Sequence, residues 1–383
     1  MTRHVSFDSH AADAGFSDVG RAVRAEATRL GFDAVGFARA DEPLDVDGDR
    51  WEAFARAGMH GEMGWLAAPS EARRRLDGAE ILAGARSVVC VARRYQRTAD
   101  DEAGDPETAR HIARYARGHD YHNFLRKRLR KLAVFLRTLG TDEHPVEARA
   151  ILDDTPILER AWAARAGLGF VGKNGLLIAP GLGSFVLLGE VVTTLDLPPG
   201  TPMTERCGSC TRCLDACPTS AFARPFVLDA RRCVSYLTIE QRAPIPVELR
   251  DGVGEHLFGC DDCQSVCPFN ASARAPAQER APQFEPLDRW RTTRLENLLA
   301  MDDTAWRALA EGSPVRRATA AGMARNAAIV LGNRRDPASL GALREAAAQH
   351  SEPVVREAAA WAIARIDEAT SGRVPSGVLP RPT

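Results

Sequence analysis

The chain has 383 residues, 45% of them hydrophobic and 26% charged, the profile of a globular protein with room for two or three cores. Its formal net charge of -1 excludes a general attraction to polyanions, so any nucleic-acid contact must come from a local patch. No segment reaches the ~18–20 apolar residues that cross a bilayer, and the polar start MTRHVSFDSHAADAGFSDVG lacks an apolar signal core, so a cytoplasmic protein without membrane contact is expected.

Residues 1–20 read as a flexible tail. RAVRAEATRLG predicts a helix ending at Gly31, followed by the short strand AVGFA (34–38). SVVCVA (87–92) and GSFVLLGEVVTTL (183–195) are further strand-like runs. Between them Leu125, Leu129, Leu132, Leu136 and Leu139 recur at helical spacing. Mixed text of this kind predicts an α/β or α+β domain over 21–200, closed by the linker DLPPGTP (196–202). A cysteine-rich module follows, assigned to 201–285, and its end is the Pro- and Arg-rich connector ASARAPAQERAPQFEP. Helical text then runs over 286–370, with a second flexible tail at 371–383. In it RNAAIVLG (325–332) is echoed 31 residues later by REAAAWAI (356–363), with DPASLGALREAAA between. A period near thirty with paired helices predicts a HEAT-like repeat, although Ala-rich faces equally suit a plain bundle.

The cysteines carry the strongest chemical signal. Eight of nine lie between Cys207 and Cys267, and a chain with no export signal has more use for metal than for disulfides. The first run is Cys207-x2-Cys210-x2-Cys213-x3-Cys217-Pro218. Zinc sites usually separate two CxxC knuckles by a longer loop; three thiolates at consecutive three-residue steps instead suit three corners of a cubane. In two-cluster ferredoxins the Cys before Pro serves the other cluster. A second run, Cys260-x2-Cys263-x3-Cys267-Pro268, is one Cys short, and Cys233 fills the place. Exchange of the terminal ligands predicts two [4Fe–4S] clusters, one on Cys207, Cys210, Cys213 and Cys267 and the other on Cys217, Cys233, Cys260 and Cys263. Structural zinc is the alternative. Cys90, in an apolar run, reads as a buried small hydrophobe.

GLGFVGKNG (167–175) matches G-x-G-x-x-G and most of a phosphate-binding loop, and both matches fail on context. Such a turn follows a strand and opens a helix, whereas here PILERAWAARA is helical and GLLIAP extended, and Asn174 stands where Ser or Thr is needed. The glycines are expected to let the backbone approach a large cofactor, with Lys173 as a donor.

ILDDTPILER (151–160) ends an apolar run with two carboxylates. Asp154 or Thr155 as helix N-cap, with Pro156 in the first turn, is the plain reading; a free Asp153 whose pKa is raised by burial, acting as a proton donor, is the functional one. Nine basic residues between Arg110 and Arg137 face only Asp120, and Arg126, Lys127, Arg130 and Lys131 lie off the Leu stripe. That cationic face is either solvated or a contact for phosphate backbone. His119, Tyr115, Tyr121 and His122 are more often packing than ligands.

With these pieces in place the chain resembles the epoxyqueuosine reductases. The motifs are HGEMGWL (60–66), RYARGHDYH (114–122), DDTPILERAWAARAGLGFVGKN (153–174), the eight-Cys pattern, RRCVSYLTIE (231–240) and FGCDDCQSVCP (258–268). The resemblance implies an enzyme that reduces epoxyqueuosine to queuosine at the wobble position of tRNA. It implies cobalamin held between the 21–200 domain and a ferredoxin-like module, and a helical-repeat tail that helps grip tRNA. Asp153 matches the family's catalytic acid, where Asp154 replaces a usually small residue. Arg75, Lys173 and Asp153 are expected near the cofactor, and Arg160 joins Arg126, Lys127, Arg130 and Lys131 as a tRNA contact. Ala113 stands where some members carry a Cys, so a thiol there is not essential. The scheme requires an external electron donor of unspecified identity, and so large a substrate favours a monomer. A corrinoid reductase acting on a small molecule, in the manner of a reductive dehalogenase, and a ferredoxin-type electron carrier are the competing readings.

Overall fold

The computed structural model describes residues 18–271 and 282–371. The tail expected over 1–20 lies outside the described residues as far as residue 17; helix α1 (Asp18–Arg29) already begins at Asp18. The tail expected beyond 371 and most of the Pro- and Arg-rich connector lie outside them too.

A four-stranded sheet forms the centre of the N-terminal part, from β1 (Ala34–Arg39), β2 (Ser87–Arg94), β3 (Ala148–Ile151) and β6 (Val186–Thr193), in the order β1-β2-β6-β3. Every pairing is antiparallel, which settles the open choice in favour of α+β, because an antiparallel sheet needs no helical crossover. Strand β2 is buried at all eight positions. The period-two geometry of a strand explains how: Val88, Cys90 and Ala92 enter one core and Val89 and Val91 the other. Cys90 is the small buried hydrophobe expected of it. On one face α1 and helix α2 (Tyr121–Arg137) cover the sheet, the latter burying Leu125, Leu129, Leu132 and Leu136. On the other, helix α3 (Glu159–Arg165) inserts the fully buried Trp162. Strands β4 (Phe170–Val171) and β5 (Leu177–Ile178) form a small hairpin beside it.

The hairpin's glycines are used by the chain itself. Added Cβ atoms at Gly167, Gly169 and Gly172 would meet Thr201 O at 2.8 Å, Ile178 O at 2.1 Å and Ile178 Cδ1 at 2.5 Å.

The remainder is built on a shared core. The thiol-bearing segment includes the short pair β7 (Phe222–Arg224) and β8 (Val227–Leu228) and helix α4 (Val234–Ile239). The tail contains α5 (Ala320–Arg334), α6 (Leu340–Gln349) and α7 (Pro353–Thr370). Small residues let these helices stack closely, and a Cβ on Gly332 would strike Ala362 at 2.8 Å. Ile112, Leu237, Phe258, Trp290, Met323 and Ile329 belong to one hydrophobic cluster, so three stretches of sequence bury their apolar faces against one another. Buried Arg325 fastens the seam, donating to the carbonyls of Leu237 (2.7 Å), Gln241 and Ala243 (both 2.8 Å). Among the described residues no helix is long and apolar enough to cross a membrane.

Candidate functional site

Two single-turn helices, Arg212–Asp215 and Asp262–Ser265, present the closely spaced cysteines and pack against each other. Their thiols sort into two groups by mutual repulsion. Cys213 feels Cys210 and Cys267, Cys267 feels Cys210, and Cys207 feels Cys213. Cys233 feels Cys217, Cys260 feels Cys233 and Cys263, and Cys263 feels Cys233 and Cys217. Cys267 thus stands near Cys210 and Cys213, and Cys217 near Cys233 and Cys263, the neighbours that exchanged terminal ligands would require. Cys263 also feels Cys213, so the groups adjoin. All eight are free thiols. Burial pushes Cys207 up to about 11 and Cys260 and Cys263 well above their ordinary range. Such crowded thiols become thiolates only around compensating positive charge, which an iron–sulfur cluster supplies. Hydrogen bonds to sulfur are already in place, for example Ala221 N to Cys217 Sγ at 3.2 Å.

Lys173 reaches this module but not as expected. Its Nζ donates to the carbonyls of Gly208 (2.5 Å) and Cys210 (3.0 Å), tying the β4–β5 hairpin to the first cysteine loop. Its ammonium is thus engaged by the protein. Arg75 is engaged as well, bidentate to Asp77 at 2.6 and 2.7 Å and close to Glu71, and no described contact joins it to Asp153 or the thiols.

Asp153 follows β3 in the left-handed region, at φ 51°, a conformation that Asp and Asn adopt more readily than most residues. The expected N-cap does not exist: α3 starts only at Glu159, with Leu158 before it and no side-chain cap. Asp154 instead pairs with Arg126 at 2.8 Å, and Asp153 is left to other partners. Tyr121 Oη donates to its Oδ2 at 2.5 Å, and His122 Nε2 lies 3.1 Å from the same oxygen. His122 Nδ1 is 2.7 Å from Asp120 Oδ1, and its ring stacks on Tyr121 at 4.1 Å between centroids. An imidazole held between two carboxylates keeps its proton, and the pKa of His122 is pushed up to about 9. The hydrogen bond from His122 is also what most lowers Asp153, with that from Tyr121 adding to it against burial. This corrects the expectation that burial raises Asp153. The carboxylate is ionised and the stored proton sits on its neighbour.

Two carboxyls missed in the sequence stand behind it. Glu159 Oε1 accepts from Asp153 N at 3.0 Å, and burial followed by the charge of Asp153 pushes its pKa up to about 7. Glu190 on β6 is fully buried, with neither carboxylate oxygen hydrogen-bonded among the described residues, and burial pushes its pKa well up. Asp153 retains 48% of its side-chain surface, yet burial acts on Asp153, Glu159 and Arg160 alike. Arg160 donates to the Gly175 carbonyl and is not among the residues lining the basic face with which its charge groups it.

The basic face itself is a groove of about 810 Å³ along α2, lined by Arg29, His122, Arg126, Lys127, Arg130 and Lys131 among others. His122, whose Nε2 lies 3.1 Å from Asp153 Oδ2, is among its lining residues. In the sequence His122 carries little signal, because an Asp-x-His step on a helix start is common; only the fold shows Asp153 on its other side.

Comparison with known proteins agrees with this arrangement. Residues 206–270 match the 4Fe-4S double cluster binding domain, 75–154 the model described as epoxyqueuosine reductase QueG, DUF1730, and 313–374 HEAT repeats. The chain is 44% identical to epoxyqueuosine reductase of Gloeobacter violaceus over 315 residues, covering 81% of this chain and 95% of that protein. It is 36% identical to the Escherichia coli protein over 357 residues, 92% of this chain and 90% of that one. A crystal structure of epoxyqueuosine reductase with an epoxyqueuosine-modified tRNA stem loop superposes with a TM-score of 0.79 at 32% identity, covering 91% of this chain and 90% of that one. The Bacillus subtilis enzyme, with its catalytic loop swung out of the active site, gives the same TM-score and identity over 92% of both chains. Thiol spacing, fold and near full-length similarity converge: the chain belongs to the epoxyqueuosine reductase family of oxidoreductases.

Proposed function

We propose that the protein reduces the epoxide of epoxyqueuosine to the alkene of queuosine at the wobble position of tRNA, using two [4Fe–4S] clusters and cobalamin. The observation that carries this reading is a proton-bearing Tyr121–His122–Asp120 network at Asp153 that shares His122 with the basic groove. When bound, the clusters supply single electrons and cobalamin a low-potential centre that passes them on. Cys207, Cys210, Cys213 and Cys267 would hold one cluster and Cys217, Cys233, Cys260 and Cys263 the other. Asp153, Glu159 and Arg160 would face the corrinoid.

Loss of the epoxide oxygen as water consumes two electrons and two protons. An alkoxide leaves poorly, so protonation at that oxygen must accompany C–O cleavage. The proton at His122 Nε2 is shared with Asp153 Oδ2, and Asp153 passes it to the substrate oxygen while His122 makes good the loss. Tyr121 keeps the carboxylate aimed, and Asp120 fixes the imidazole from its other nitrogen. The groove along α2 supports tRNA as substrate, because Lys127, Arg130 and Lys131 are exposed side by side and a small molecule has no use for them. The external electron donor and a monomeric state remain part of the proposal.

The test is anaerobic reconstitution with iron, sulfide and cobalamin, followed by turnover of an epoxyqueuosine-containing stem loop with a chemical reductant. Conversion to queuosine, dependent on cobalamin, is expected. A reconstituted protein that binds no corrinoid, or leaves the epoxide intact, refutes the reading.

A further inference from the structure

The HGEMGWL segment carries an aromatic side chain that the reaction chemistry does not use. Trp65, in the HGEMGWL loop, is 55% exposed, the largest side chain among the exposed hydrophobics. A lone exposed apolar residue needs no explanation in itself. Its setting does.

The loop beneath Trp65 is fastened from several sides. Arg73 donates to the Trp65 carbonyl at 3.1 Å and Trp51 Nε1 to that of Leu66 at 2.9 Å. Glu62 accepts from Arg242 N at 2.7 Å and donates its own amide to Tyr236 Oη at 2.7 Å. Gly61, at φ +60°, presses so close to Tyr236 that a Cβ would sit 2.4 Å from its hydroxyl. The indole is therefore exposed on rigid backbone.

A cation lies over the ring. The guanidinium of Arg317, from the helical tail, is 5.5 Å from the Trp65 centroid and is held there by Glu240 at 2.8 Å. The turn that carries Arg317 docks beside the acid site: Asp120 N donates to Gly312 O at 2.7 Å and Ser313 Oγ to Ala116 O at 3.3 Å. Asp120 in turn holds His122 against Asp153. The charges of Arg316 and Arg317 reach Asp120 and Asp153 respectively. Three distant parts of the chain thus place one flat aromatic surface and its arginines near the acid site.

We infer that Trp65 and Arg317 form a stacking subsite for an unpaired nucleobase of the anticodon loop, next to the base that reaches Asp153. This rests on the tRNA reading above and adds to it a binding element separate from the phosphate contacts along α2. Single-stranded bases are commonly held on aromatic rings and arginine planes. A base must be extracted from its loop to reach Asp153, and a platform near that site holds the neighbour that loses its stacking partner.

The experiment uses the reconstituted full chain and an epoxyqueuosine stem loop with 2-aminopurine beside the modified base, placed in turn on its 5′ and 3′ sides. Binding is followed by 2-aminopurine fluorescence at several salt concentrations. The wild type should alter the fluorescence from one of the two positions. Trp65→Ala should abolish that signal and weaken binding roughly five- to a hundredfold, with the salt slope unchanged. Trp65→Phe should recover part of both, and Arg317→Gln should weaken binding while lowering the slope by about one at most. Iron content and cobalamin binding should match the wild type in Trp65→Ala, which separates lost binding from misfolding. If Trp65→Ala binds like the wild type with the same fluorescence change, the stacking subsite is refuted and the tRNA reading stands. If the wild type itself fails to bind the stem loop, both fall.

Discussion

The thiol module and the acid corner are built on opposite plans. Seven of the eight grouped cysteines come from two runs, each no longer than eleven residues, and short helical turns carry them. The acid corner draws Asp120, Tyr121 and His122 from the start of α2, Asp153 from the loop after β3, Glu159 from α3 and Glu190 from β6. Local spacing can encode a metal site because the ligands' reach is set by one turn of backbone. A proton network depends on which side chains tertiary packing brings within hydrogen-bond distance. The first kind of site tolerates remodelling elsewhere in the chain, whereas the second should fail through neighbours far away in sequence.

The largest effect should follow from breaking the thiol groups. Cys207→Ser and Cys267→Ser should deplete the same cluster, taking bound iron from about eight to about four per chain and abolishing turnover, with identical changes in the electron paramagnetic resonance spectrum. If Cys267→Ser instead mimics Cys260→Ser, the exchange of terminal ligands is wrong. Next in size, Asp153→Asn keeps the left-handed backbone and should retain both clusters and cobalamin while slowing single-turnover reduction about 10²- to 10⁴-fold. Undiminished turnover removes Asp153 from the mechanism.

The pH dependence sharpens the assignment of the stored proton. The pKa of His122 is raised in the folded protein from 6.5 to about 9. Its contribution to stability is therefore complete below about 6.5 and is lost as pH rises through about 9. Turnover should fall over the same alkaline range, and His122→Gln should be slower throughout and lose that limb. A wild-type rate that stays flat to pH 10 places the proton elsewhere. The smallest change should come from the basic groove. Replacing Arg126, Lys127, Arg130 and Lys131 by Gln should weaken stem-loop binding and lower the salt slope by about three at most, since Arg126 is already paired with Asp154. An unaltered slope returns this face to plain solvation.

Legibility in the sequence varies with the range of the interactions. The Leu stripe of α2, the buried run of β2 and the grouped cysteines follow from periodicity and spacing alone. The capping of α3 by Asp154 or Thr155 does not form, because the chain stays irregular until Leu158 and Arg126 claims Asp154. The glycines of GLGFVGKNG look like a cofactor loop, yet Thr201 and Ile178 occupy the space beside them. Lys173, Arg75 and Arg160 stand out by their charge, and charge alone does not reveal a partner; each has one on the protein.

By itself, then, the order of residues determined the kinds of secondary structure and the presence of two four-thiol sets, since both are fixed by bonds spanning a few residues. Only the tertiary structure decided the state of the acid corner. Asp153 is ionised and His122 protonated because α2 and the loop after β3, about thirty residues apart in sequence, bring an imidazole between two carboxylates. The energy of a charge depends on the neighbours and solvent around it, and those are properties of the folded chain.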